Sequence, residues 1–89
     1  MDGPRYDGRA LRQLRQRAGV RMIALARAAE VSYGHLRMFE TGDRNISAEL
    51  AHRIARVLTE QGGRPVTVEE FTSPIGRGVR GEVARGDAA

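Results

Sequence analysis

The feature that most restricts this chain is an interval of three residues inside LARAAEVSYGHLRMFETG, positions 25–42. Leu25, Ala26, Ala28 and Ala29 fall on one side of a helix, and Leu36, Met38 and Phe39 belong to another. Only Glu30, Val31 and Ser32 stand between them. So short a turn cannot reverse the chain for antiparallel packing, and the two helices must cross steeply. A steep crossing needs a small residue where the helices approach, and Ala26 is there. It needs an apolar plug in the turn, which Val31 supplies, and an anchored inner face on the second helix, which Leu36 and Phe39 supply at i, i+3. Tyr33, Gly34, His35, Arg37 and Met38 are left for the outer face, a mixture rarely found on a helix that only fills a core.

The rest of the chain reads as further helices. Asp7 is a suitable N-cap for a helix over 8–18, with Ala10, Leu11, Leu14 and Ala18 at helical spacing and Gly19 as its stop. The next helix spans 22–29 with Ile23, Leu25, Ala26 and Ala29 inward, and it lacks a good cap because Arg21 precedes it. Ser32 caps the helix over 33–40. TGDRN, positions 41–45, is a turn cluster. Ser47 caps a long helix whose stripe is Leu50, Ala51, Ile54, Ala55 and Leu58, ended by Gly62–Gly63. TVEE, positions 67–70, has the form of a capping box, so a short fifth helix carrying Val68 and Phe71 is expected. MDGPRYD at the start reads as an arm over 1–7, and the Gly- and Arg-rich end reads as a flexible tail over 73–89. Neither a strand pattern nor a repeat is evident.

Eighty-nine residues suit one small domain. There is no Cys, which excludes disulfides and thiolate metal sites. His35 and His52 are the only His residues, and neither has a carboxylate at ligand spacing, so no metal and no cofactor are expected. The apolar runs are too short to span a membrane, and no signal peptide opens the chain, so a soluble intracellular protein is expected. All fifteen basic residues are Arg, a composition effect expected of a GC-rich bacterial or phage genome. Their placement is uneven. Positions 5–44 hold nine Arg against four acids, a net of +5, whereas positions 45–72 hold three Arg against four Glu, a net of −1. A basic front and a neutral back suit a polyanion on one face. No nucleophile–base pair, paired carboxylate or phosphate-cradling loop suggests an enzyme.

LRQLRQRAG, LARAAEVS, HLRMFETG and ELAHRIARVL together resemble the phage-repressor-like helix-turn-helix family, of the lambda repressor/Cro or xenobiotic-response-element type, over positions 11–72. The resemblance implies an all-α, compact five-helix domain over 8–72 that binds a double-stranded DNA operator, most simply as a Cro-like or repressor-like regulator. Its base-reading positions correspond to Tyr33, Gly34, Arg37 and Met38, with Arg37 able to bond G O6 and N7 together. Arg21, Ser32, His35, Thr41 and Arg44 fall where backbone phosphates are held. Arg15 and Glu40 match a structural pair that tilts the recognition helix and also presents Arg15 to a phosphate. The family often dimerises near its fifth helix, and Val66, Val68, Phe71 and Ile75 are apolar there.

The sequence also departs from the family. Arg21-Met22 replaces a common Ser-Gln, Glu30 replaces a Gly at a turn position with positive φ, and TEQGGRP separates the last two helices. Two other readings fit the same residues: an antitoxin or excision factor that couples DNA binding to a protein partner, and a protein-interaction module on the same fold. No small-molecule ligand and no membrane partner are evident.

Overall fold

The computed structural model describes residues 5–73. Within them lie four α-helices, α1 (Gly8–Ala18), α2 (Met22–Ala29), α3 (Tyr33–Glu40) and α4 (Ala48–Gly62), then one 3-10 turn, η1 (Val68–Phe71).

The ends of each helix follow from local chemistry. Asp7 Oδ1 accepts the Arg9 and Ala10 N–H groups at 3.0 and 3.2 Å, which starts α1. Gly19, at φ 73°, ends it, and the Val20 N–H returns to the Arg15 carbonyl at 3.1 Å. α2 has no side-chain cap at Arg21. Ser32 Oγ accepts the His35 N–H at 3.0 Å, and Ser47 Oγ accepts the Leu50 N–H at 3.1 Å, so α3 and α4 are each started by a serine.

Leu11, Leu25, Leu36, Phe39, Ile54, Leu58 and Phe71 are the largest fully buried side chains, and they lock the helices around one core. Backbone approaches set how closely the helices pack. A Cβ on Gly8 would overlap the Phe39 carbonyl and stand 2.8 Å from Glu40 Cα, so only glycine fits where α1 meets α3. Gly62 meets Ala18 in the same way, where a Cβ would lie 2.7 Å from the Ala18 Cβ.

The structure corrects several sequence expectations. Ile23 is half exposed rather than inward. The buried stripe of α2 runs through Leu25, Ala26 and Ala29 with Met22 packed against it, and Ile23 lies about 100° round the helix from Met22. The expected fifth helix is a single 3-10 turn. Its start carries the Glu70 half of the capping box, with the Thr67 N–H donating to Glu70 Oε2 at 2.9 Å. It ends at Phe71, after which Thr72 is extended, at φ −82° and ψ 130°, and is bridged to Tyr6.

Residues 5–7, read as part of an arm, form a strap across the core. Tyr6 is buried, its ring centroid 6.0 Å from that of Phe71. The Asp7 N–H donates to the Phe71 carbonyl at 2.7 Å, and the Ser73 N–H donates to the Arg5 carbonyl at 2.8 Å, so the strap and residues 71–73 run antiparallel. A tyrosine in a polar segment gains more by covering Phe71 than by remaining in water. The remaining arm positions 1–4 and tail positions 74–89 lie outside the described residues.

Val66 and Phe71, expected near a dimer edge, are buried within the single chain, with Val68 partly buried beside them; Ile75 lies outside the described residues. The TEQGGRP segment is folded back by Thr59, whose Oγ1 accepts the Val66 N–H at 2.9 Å.

Candidate nucleic-acid interface

The three-residue turn between α2 and α3 forms a fixed corner. Glu30 closes α2 in the left-handed region, at φ 60° and ψ 46°. The Val31 N–H donates to the Ala26 carbonyl at 3.0 Å, and the Val31 side chain is half-buried in the turn. Ala26 is buried where α2 and α3 cross.

Two arginines brace the helix-turn-helix, one at the end of α2 and one at the end of α3. Arg53 of α4 donates its Nε–H to the Ala29 carbonyl at 2.9 Å, satisfying an orphan acceptor at the end of α2. Arg15 of α1 donates to Glu40 at the end of α3 through two bonds, Nε to Oε2 at 2.8 Å and Nη2 to Oε1 at 2.9 Å. Its Nη1 donates to the Val20 carbonyl at 3.1 Å. With its guanidinium engaged in this way and its side chain 11% exposed, Arg15 is placed to hold helices rather than to meet a phosphate.

The outer face of α3 is open. Tyr33 is 51% exposed and Met38 42%, and Arg37 is exposed with no ion pair among the described residues. Apart from its chain neighbours and the backbone of its own helix, nothing lies within 4 Å of where a Gly34 Cβ would stand. The face therefore offers a cation, a phenol, a thioether and a bare patch of backbone, with none of them used inside the fold.

Residues 8–64 match the family model described as a helix-turn-helix domain. The chain belongs to the helix-turn-helix domain family. It is similar to a Pyrococcus abyssi (strain GE5 / Orsay) protein named as an HTH-type transcriptional regulatory protein, with 34% identity over 64 residues. That stretch covers 72% of this chain, and the chain spans about a fifth of the length of the curated relative it matches. No solved structure matches the chain significantly.

The other sequence-derived positions in this helix-turn-helix domain are distributed around α3. Arg21 is exposed at the entry to α2. Ser32 is exposed, but its Oγ is engaged as the cap of α3. His35 is half-buried on the flank of α3. The Thr41 hydroxyl lies 3.0 Å from the Met38 carbonyl and 3.2 Å from Asp43 Oδ2, so it is engaged within its own loop. Arg44 is exposed in the loop between α3 and α4, with no ion pair among the described residues.

Sequence reasoning missed Arg53, Tyr6 and Asn45. Arg53 stands three residues after Leu50 and four before Val57, flanking the apolar stripe of α4, and that position was its only signal. Asn45 Oδ1 accepts the Tyr6 N–H at 3.1 Å across a separation of 39 residues, which no local pattern announces. Among the described residues, no group of His, Asp or Glu is arranged to hold a metal, and no helix is long and apolar enough to cross a membrane.

Proposed function

We propose that this chain binds double-stranded DNA in a sequence-specific way and acts as a transcriptional regulator of the Cro-like or repressor-like kind. The observation that carries the reading is the outer face of α3, exposed over Tyr33, Gly34, Arg37 and Met38 while the C-terminal end of α2 is tied to α4 and that of α3 to α1. In the major groove the Arg37 guanidinium matches the paired acceptors of guanine. Tyr33 and Met38 suit a thymine methyl, and Gly34 lets a base edge approach the backbone. Arg21 and Arg44 flank this face and are suited to phosphate, while Ser32, His35 and Thr41 fall at its margins. The family match over 8–64 and the regulatory name of the Pyrococcus relative support the same reading.

A two-fold arrangement of two copies on half-sites about one helical turn apart is part of the proposal. It rests on the symmetry common to such operators, since Val66 and Phe71 are used by the core of the single chain. The test is selection of bound duplexes from a random pool. Enrichment of one sequence with inverted half-sites is the expected outcome. A pool that stays random through successive rounds, while the protein remains folded, overturns the reading.

A further inference from the structure

A cleft of about 510 Å³ opens at the C-terminal end of α3, between the strap and the loop that follows α3. Arg5 and Arg9 line one wall, and Thr41, Asp43 and Arg44 line the other. We propose that this cleft takes the phosphate backbone of a nucleic acid running past α3, with Arg5, Arg9 and Arg44 as its cations. The inference rests on the DNA-binding reading and adds a contact region that includes two residues not otherwise assigned to it.

Three observations carry it. The first is charge. None of the three guanidinium groups makes an ion pair among the described residues. The two carboxylates in the lining are engaged instead: Asp7 Oδ1 caps α1, and Asp43 Oδ2 faces the Thr41 hydroxyl at 3.2 Å. Both carboxylates keep their charge in these bonds, so the lining holds three cations against two anions, a net of +1, and its guanidinium groups, outside any ion pair, are suited to phosphate oxygens.

The second is position. The Thr41 N–H donates to the Arg37 carbonyl at 3.1 Å, so the cleft begins one helical turn beyond the side chain suited to reading a base. A duplex seated on the outer face of α3 must carry its backbone along that end.

The third is rigidity. The two walls are joined by the Tyr6–Asn45 hydrogen bond at 3.1 Å and by the direct seat of Gly8 on the Phe39 carbonyl. Arg5 is also held by its own backbone, whose carbonyl accepts the Ser73 N–H at 2.8 Å. The cations are therefore presented by a fixed frame, and contacts of this kind position a protein on DNA without reading sequence.

The experiment compares the full chain with Arg5→Gln/Arg9→Gln on a selected duplex and on a random duplex, at several salt concentrations. A second variant, Arg56→Gln/Arg64→Gln, removes the same charge at exposed positions outside the cleft. The expected result is that the first variant weakens both duplexes by the same factor and lowers the slope of log K against log salt by about one to two units. The second variant should lower it by much less. Equal slopes for the two variants, with wild type still binding, overturn the cleft and leave the reading of α3 intact. Failure of wild type to bind either duplex overturns both. Thermal melting of each variant, expected to match wild type, separates loss of contact from loss of fold.

Discussion

Arg15 and Glu40 lie 25 residues apart and meet through two parallel hydrogen bonds, with the Glu40 side chain 2% exposed. The pair joins the C-terminal half of α1 to the end of α3, so it sets the tilt at which α3 presents its outer face. Removing one partner leaves a buried charge without its counter-ion. Glu40→Ala is expected to destabilise the domain by about 3–5 kcal/mol in urea unfolding. Replacing both, as Arg15→Met/Glu40→Leu, should recover most of that loss, because an apolar pair needs no desolvation of charge. A double variant no more stable than Glu40→Ala would mean that the cost lies in repacking and not in the orphaned arginine.

Glu30 is the only described residue other than glycine with positive φ, at 60°. The left-handed region costs a side chain about 1–2 kcal/mol, which glycine avoids, although glycine also gives the unfolded chain more freedom. Glu30→Gly is therefore expected to raise stability by about 1 kcal/mol and leave DNA affinity unchanged. A fall in melting temperature would show that the Glu30 side chain contributes something its exposed position does not suggest.

Two glycines should respond in opposite ways to the same change. Gly8→Ala drives a methyl group into the Phe39 carbonyl and Glu40 backbone, and should cost about 1–3 kcal/mol or more. Gly34→Ala meets open space and should gain up to about 1 kcal/mol from helix propensity. If Gly34 faces a base edge, the same substitution weakens the selected duplex more than a random one. Calorimetric melting and a binding titration together check both arms.

Arg37 and Arg44 carry the same charge and are both exposed, so a purely electrostatic binder responds to their loss alike. On the proposed geometry they differ. Arg37→Ala should cost about 1–3 kcal/mol on the selected duplex, relax preference at one base pair and change random-DNA binding little. Arg44→Ala should weaken both duplexes by similar factors and reduce the salt slope by about one unit. Titrations of both variants on both duplexes at several salt concentrations give the answer. Equal losses throughout would mean that α3 does not read sequence.

The four helices and their ends were legible in the sequence because their causes lie within a few residues of one another. Asp7, Ser32 and Ser47 cap N–H groups two or three residues on, and the short turn at Glu30–Ser32 restricts the crossing of α2 and α3 by chain length alone. The outer face of α3 followed by subtraction, once Leu36 and Phe39 were assigned inward. Tertiary structure decided what local pattern cannot contain. Arg53 finds the Ala29 carbonyl across 24 residues, and the Tyr6 N–H finds Asn45 across 39. Ile23 is apolar and helical yet half exposed, because which arc of α2 is buried depends on where α3 and α4 pack. Tyr6 became a strap instead of an arm because Phe71, far along the chain, offered it an apolar partner. The cleft lined by Arg5, Arg9 and Arg44 exists only because that strap closes beside the loop after α3. Backbone caps and side-chain periodicity are set within a turn or two of helix, whereas a shared surface needs chain segments that meet only when the core has formed.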